Sequence, residues 1–123
     1  MITVQKIPWN DHAEAGLKLA LAGDLHTIKN QVLANICELW RVGDNGYVIT
    51  RFETDHKKEL VLVAGEGFKA AGNGYIESVK AFCNIAANAG AETVRIHTDK
   101  KGIGRMIKNI GFSEVETIYK LEL

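Results

Sequence analysis

Glycines crowd one short window of the 123-residue chain, at Gly65, Gly67, Gly72 and Gly74. The window follows an apolar run and precedes a segment with helical periodicity. The start of a helix presents unpaired backbone amides and a positive dipole end, and glycines let an anion approach the backbone closely. Lys69 would add a positive charge beside that anion. The window therefore predicts an anion site, although the same glycines also suit a plain structural turn.

Two common phosphate motifs do not fit this window. A P-loop carries Lys and then Ser or Thr directly after its last glycine, whereas Gly74 is followed by Tyr75 and Ile76. A dinucleotide fingerprint opens a βαβ repeat, but the strands predicted before Gly65 form a meander. The chemistry of the window must therefore be judged from the elements around it.

Hydrophobic periodicity predicts the element order β-α-α-β-β-β-α-β-α-β, an α/β (mixed α+β) fold in a single domain over residues 1–123. The run at residues 60–64 is apolar without a break, which is typical of a strand covered on both faces. The predicted strands cover residues 2–7, 39–42, 47–53, 60–64, 93–97 and 115–123, and the helices are marked by residues 13–21, 28–36, 76–86 and 103–110.

Local sequence signals predict where the first strands and helices begin and end. Pro8 should end the first strand, because proline cannot donate to a sheet, and either Asn10 or Asp11 can cap the first helix. The pair Gly23-Asp24 should break that helix from the next one. The dipeptide Asn45-Gly46 suits the positive φ of a hairpin turn.

The amino-acid composition limits the classes of binding partner that we expect. Fifteen basic residues balance fifteen acidic ones, so we expect neither nucleic acid nor an anionic membrane as a partner. Cys37 and Cys83 stand far apart, and neither a signal-like leader nor a membrane-length apolar run is seen. We therefore expect a cytoplasmic protein without disulfides. The four histidines are not paired closely with one another or with cysteine, so no metal site is expected.

In this order of elements, the segment Lys69-Ala70-Ala71-Gly72-Asn73-Gly74 resembles the acetyl-CoA loop of the GNAT N-acetyltransferase superfamily. That loop reads Gln/Arg-x-x-Gly-x-Gly/Ala at the start of a long helix, and Lys69 stands in the Gln/Arg position. The later Gly111-Phe112 is similar to the family's Gly-Phe helix end, and residues 114–121 sit where the family places its last strand. The resemblance implies a central, mostly antiparallel sheet with helices on both faces.

The resemblance also implies a ligand and a reaction, namely acetyl-CoA and its transfer to a small-molecule or protein amine. The acyl chain would lie along the fourth strand, where backbone amides can stabilise an oxyanion, and Glu66, just past that strand, is the candidate base. Glu53 and His97 are weaker alternatives for the base. The residues implied in acetyl-CoA binding are Val63, Ala64 and Gly65 along the acyl chain, and Lys69, Ala70, Ala71, Gly72, Asn73 and Gly74 around the pyrophosphate.

A second segment, residues 100–106, matches the family's loop even better letter by letter. There, however, Asp99 would take the Gln/Arg position and place an acid beside the anion. Only nineteen residues follow Gly104. That is too few for the long helix, strand, helix and final strand expected beyond the loop, at about 1.5 Å per helical residue and 3.3 Å per strand residue.

The chain departs from the family where a tyrosine often protonates the leaving thiolate, because Ile107 stands there. Lys100 replaces an asparagine common near the start of that helix, and the nearest phenols are Tyr75 and Tyr119. A water could act as the acid, or the chain could be a catalytically inactive, phage-type GNAT-like module. A third alternative is an unrelated α+β domain that binds only protein. The final strand could pair across a homodimer.

Overall fold

A computed structural model describes residues 3–44, 46–54, 57–66, 73–96, 105, 107–113 and 121. Within them, five strands form one sheet and three α-helices pack on it. The strands are β1 (Val4–Ile7), β2 (Glu38–Val42), β3 (Gly46–Glu53), β4 (Glu59–Glu66) and β5 (Thr93–Ile96), and the helices are α1 (Asp11–Leu21), α2 (Leu25–Leu33) and α3 (Asn73–Asn88).

The strands lie in the sheet in the same order as in the chain, β1 to β5. The first three pairings are antiparallel, and β4 pairs with β5 in parallel through the α3 crossover. This confirms the predicted fold class and the order of elements as far as β5. Beyond β5, Arg105, Ile107 and Lys108 are helical, as predicted, and Gly111 follows at φ 106°. The predicted final strand lies outside the described residues, apart from Leu121.

Capping and turns explain where the early elements begin and end. The Asn10 side chain accepts a hydrogen bond from the Ala13 amide at 2.8 Å, so Asn10 rather than Asp11 caps α1. Gly23 and Asp24 lie in a short 3-10 segment, Ala22–Asp24, which separates α1 from α2 as predicted. Helix α2 ends where Asn35 adopts a left-handed φ of 61°.

The hairpin between β2 and β3 differs from its prediction. Val42 pairs with Gly46, which is already the first residue of β3, and the positive φ of 61° belongs to Gly43. Asn45 lies outside the described residues. Among the described residues of this turn, the left-handed conformation is therefore on Gly43 and not on Gly46, because the strand pairing begins earlier than the sequence suggested.

A hydrophobic core lies on each face of the sheet. On one face, α1 and α2 pack on β2 and β3; on the other, α3 packs on β2, β3 and β4. Phe82 of α3 is fully buried and meets Trp40 edge to face at 5.6 Å, while Trp40 donates to Thr50 at 2.8 Å. The first core contains Ala13, Leu17, Leu21, Ile28, Val32, Cys37, Leu39, Tyr47 and Ile49, and the second contains Val42, Val48, Leu60, Leu62, Phe82 and Ala86.

Candidate active site

The candidate site begins at an irregularity in β4. Thr50 of β3 pairs with Leu62, but the next residue of β3, Ile49, pairs with Ala64. Val63 is therefore an extra residue in β4, which is a β-bulge. A bulge disrupts the ladder locally and re-aims the strand. The bulged residue, Val63, is the first of the three residues implied as oxyanion donors, Val63, Ala64 and Gly65.

The part of β4 that follows Leu62 extends past Ile96, the last residue of β5. The parallel pairing runs from Glu59 opposite Thr93 to Leu62 opposite Ile96, where β5 ends. Residues 64–66 remain paired with β3 on the other side, and β5 as far as Ile96 supplies no partner for residues 63–66. Within the described part of the chain, no residue pairs with these backbone groups on the β5 side.

Helix α3 lies close behind this strand end in the sequence. It begins at Asn73, so the last two residues of the predicted anion loop, Asn73 and Gly74, are its first two residues. Its 16 residues are held against the sheet by buried Ser78, Val79, Phe82 and Ala86. The start of a helix in general presents unpaired backbone amides and a positive dipole end, so an anion site at the start of α3 stays a prediction. Lys69, Ala70, Ala71 and Gly72 lie outside the described residues.

Glu66, the candidate base, is the last residue of β4 and does not lie beyond the strand as predicted. Gly65 is likewise within β4, because the strand extends two residues further than the apolar run. In the sheet register, Glu66 is the partner of Tyr47 on β3. The predicted base thus sits at the end of β4 that projects past β5.

Tyr47 is held in place by its contacts with helix α1. Its hydroxyl is hydrogen-bonded to Nδ1 of His12, and only 5% of the surface of Tyr47 is exposed. A Cβ atom on Gly16, one turn along α1, would lie 3.1 Å from the Tyr47 ring. Sequence reasoning missed this pair because residues 12 and 47 share no local pattern. A glycine inside a predicted helix was the available signal, since it often marks a close approach.

Glu53, the weaker alternative for the base, lies at the opposite end of β3 from Tyr47. Its carboxylate accepts from Arg51 at 2.7 Å and from Arg95 at 2.5 Å. The hydrogen bond from Arg51, together with the charge of Arg95, holds the pKa of Glu53 below its usual value near 4.5. Glu53 is therefore held as an ion-paired carboxylate. His97 lies outside the described residues.

Arg51, Glu53, Glu59 and Arg95 form what we call the ionic cluster. Arg95 also lies 3.3 Å from a Glu59 oxygen, and the other Glu59 oxygen accepts from the Thr93 hydroxyl at 3.0 Å. The cluster links β3, β4 and β5 where β4 and β5 are still paired. Of these residues, sequence reasoning had considered only Glu53, although charges inside otherwise apolar strands were a visible signal.

A buried isoleucine, Ile107, stands at the position where the resemblance implies a tyrosine as the acid. Ile107 is 8% exposed, and its carbonyl accepts the amide of Phe112 at 3.1 Å. Tyr119 lies outside the described residues, and Tyr75 lies in the first turn of α3. Position 107 can therefore not donate a proton.

Within the ranges that the structure describes, no group of three or more His, Cys, Asp or Glu side chains could hold a metal ion. None of the helices in that part of the chain combines the length and the apolar character needed to cross a membrane.

No protein-family model and no curated protein matches the chain. Solved structures match it over its whole length. The chain is similar to an aminoglycoside N-acetyltransferase AAC(6')-Iy in complex with CoA, with a TM-score of 0.71, 14% identity, and coverage of 100% of this chain and 95% of that one.

Two further structures are similar with slightly lower TM-scores. One is a ribosomal-protein-alanine N-acetyltransferase from Brucella melitensis biovar Abortus 2308, with a TM-score of 0.69, 12% identity and full coverage of both chains. The other is a predicted acetyltransferase with acetyl-CoA from Clostridium acetobutylicum, with a TM-score of 0.68, 14% identity, and coverage of 99% and 96%. The chain has the fold of the GNAT acetyltransferases.

Proposed function

We propose that this chain, which has the GNAT acetyltransferase fold, is an acetyl-CoA-dependent N-acetyltransferase that acts on an amine as a single cytoplasmic domain. One observation carries the proposal. The strand β4 is bulged at Val63 and runs on past β5, and the helix that begins at Asn73 follows it after a short glycine-rich segment. This arrangement offers backbone donors for a thioester and, a few residues later, helix amides for a phosphate.

Acetyl-CoA binding in this proposal is divided between those two places. The amides of Val63, Ala64 and Gly65 face the acyl chain, and one of them donates to the thioester carbonyl. The pyrophosphate is held by Lys69 and by the backbone of Ala70, Ala71, Gly72, Asn73 and Gly74. Neighbouring structures that contain CoA or acetyl-CoA support this class of ligand. Fixed backbone amides suit both groups, since they stabilise negative charge without reorganising.

The reaction follows from these contacts. The amine loses a proton to Glu66 and attacks the thioester carbonyl, and the charge that develops on the carbonyl oxygen is stabilised by the β4 amides. The carbon–sulfur bond then breaks. Because Ile107 cannot donate, the thiolate takes its proton from water. The products are the N-acetylated amine, CoA and a proton.

A thermal melt with acetyl-CoA tests the proposal. At about 100 times its dissociation constant, a ligand that binds only the folded state adds about 2.7 kcal/mol of stability. No shift at millimolar acetyl-CoA would rule out the proposed function. A shift without thiol release over a panel of amines would instead support a domain that binds acetyl-CoA without turnover.

Matched glycine variants locate the site. Gly72→Val should abolish the shift, because a branched side chain would prevent the pyrophosphate from reaching the backbone. Gly23→Val is the control, since a Cβ atom at Gly23 would meet nothing within 4 Å. If the shift survives in Gly72→Val, acetyl-CoA binds elsewhere. Melting of each variant without ligand shows whether it still folds.

A further inference from the structure

The ionic cluster and the bulge lie on one face of the sheet. Val63 packs against the core that α1 and α2 form, and Arg51 is close enough to Cys37 of that core to oppose the rise in thiol pKa that burial causes. Arg51 and Arg95 flank Val61 in the register. Val61 is two residues from Val63, or about 7 Å along the strand.

The opposite face is closed. Leu60 and Leu62 point into the core beneath α3, where Leu60 is 0% and Leu62 is 9% exposed. The four side chains of the ionic cluster, by contrast, keep between 25% and 32% of their surface exposed. A molecule that approaches the bulge from solvent near the β4–β5 pairing must therefore pass over the cluster.

Within the cluster, Glu59 is the carboxylate with the weakest ion pair. Both oxygens of Glu53 contact a guanidinium, at 2.7 and 2.5 Å, whereas Glu59 lies 3.3 Å from Arg95 and, among the described residues, otherwise accepts one neutral hydroxyl. A carboxylate has about four acceptor positions. Glu59 can thus accept hydrogen bonds from an ammonium group without separating Glu53 from its two arginines.

Charge balance decides what kind of ligand fits. Among the described side chains of the cluster, two arginines and two glutamates sum to zero, so an added cation or an added anion alone would unbalance these four charges in a partly desolvated place. A head group with both an ammonium and a carboxylate keeps the balance, with the ammonium on Glu59 and the carboxylate beside Arg51 or Arg95. The α-amino acid head group has this pattern.

Distance decides which nitrogen would react. Arg51 pairs with Val61, which lies about 7 Å from Val63 along β4. Glu59 lies about 13 Å from Val63 along the same strand. A head group held between Arg51 and Glu59 is too far from the bulge for its own ammonium to reach the thioester. A second amine at the end of a flexible side chain can cover that distance.

We infer that the ionic cluster is the acceptor subsite of the proposed acetyltransferase, and that it takes a free amino acid with an amine-bearing side chain, such as lysine or ornithine. The inference rests on the proposed function. The side-chain nitrogen attacks the thioester, the carbon–sulfur bond breaks, and the acceptor's ammonium proton is released, so the products are the side-chain N-acetyl amino acid, CoA and a proton.

Binding to the protein saturated with CoA, which cannot react, tests the subsite. L-lysine should bind saturably in an NMR titration. Its binding should weaken by about tenfold or more in Glu59→Gln, which removes a charged acceptor. 1,5-Diaminopentane lacks the carboxylate and should bind more weakly than lysine by a similar factor. Glu14→Gln is the matched control, because Glu14 pairs with Lys29 outside the cluster, and it should leave lysine binding unchanged.

Three results would overturn the inference: no saturable lysine binding in the millimolar range, equal binding by 1,5-diaminopentane, or no effect of Glu59→Gln in a variant that melts normally. With acetyl-CoA, mass spectrometry should place the acetyl group on the side-chain nitrogen of lysine. A thermal shift with acetyl-CoA but no lysine binding would reject only the subsite. No shift with acetyl-CoA would reject the proposed function itself.

Discussion

Gly16 shows how one missing side chain shapes the region above the candidate site. It lies in α1 directly over Tyr47, and a Cβ atom there would approach two ring carbons to 3.1 and 3.2 Å. The ring cannot easily move away, because it is buried and its hydroxyl is hydrogen-bonded to His12. The glycine thus lets α1 approach β3 closely beside the strand end that carries Glu66.

We expect Gly16→Ala to lower the melting temperature, although alanine usually favours a helix. The gain in helix propensity is about 1 kcal/mol, whereas overpacking a core commonly costs about 1–3 kcal/mol. Gly23→Ala is the control and should not lower it, since nothing lies within 4 Å of that position. Thermal melts of the two variants make the comparison. A higher melting temperature for Gly16→Ala would mean that the Tyr47 ring can shift at little cost.

Among the elements, α1 depends on its N-cap. The side chain of Asn10 accepts from the Ala13 amide, and the Asn10 carbonyl accepts from the Glu14 amide at 3.0 Å. The helix that they start covers the bulge on one face, since Val63 packs against its core. A frayed start of α1 would therefore disturb both the fold and the candidate site.

Removing the cap should be measurable. Asn10→Ala should cost about 1 kcal/mol, or a fall of about 4 °C in melting temperature for a domain of this size. Asp11→Ala should cost less, because Asp11 contributes only its charge near the positive end of the helix dipole. Thermal melts of both variants, with helix content followed by circular dichroism, compare them. An equal loss in both would assign the cap to Asp11 as much as to Asn10.

The elements were largely predictable, and their irregularities were not. The apolar run of β4, the change to helical spacing at Ile76 and the stop near Gly90 are local patterns, so strands and helices follow from them. The bulge at Val63 comes from how two strands fit together, and no single strand carries a signal for it. The His12–Tyr47 hydrogen bond joins residues 35 positions apart, so local spacing says nothing about it.

The candidate site was predictable to a similar degree. The glycine window and its place before a helix pointed to the start of α3, which the structure places at Asn73. The ionic cluster was not foreseen, because it joins Arg51 and Glu53 with Arg95, 42 residues away from Glu53. Such a contact requires knowing that β5 lies next to β4.

At the scale of the whole molecule, two paired carboxylates among the described residues make the stability depend on pH in the acid range. The pKa of Glu53 is lowered by Arg51 and Arg95, so the folded protein holds fewer protons near pH 4.5 than the unfolded chain. The stability that Glu53 contributes is therefore present above that pH and is lost as the pH falls through the folded pKa. The pKa of Glu14 is lowered by Lys29 and Trp9, and it acts in the same direction.

Glu53→Gln should flatten the loss of stability below about pH 4.5, because glutamine does not titrate in this range. Glu14→Gln should remove a separate part of the same slope, and the two effects should add because the residues share no partner. Denaturant unfolding at a series of acidic pH values measures the slope. An unchanged slope in Glu53→Gln would mean that its ion pairs persist in the unfolded chain.

The agreement between strand order in space and in sequence has a kinetic consequence. Each strand meets the one formed just before it, so the β2–β4 meander can assemble from neighbouring segments before distant parts of the chain meet. The pairings of β1 with β2 and of β4 with β5 each require a long loop to close, since Val4 pairs with Val42 across 38 positions and Glu59 pairs with Thr93 across 34. We therefore expect β1 and β5 to dock after the β2–β4 meander has formed and to detach before it when the protein opens.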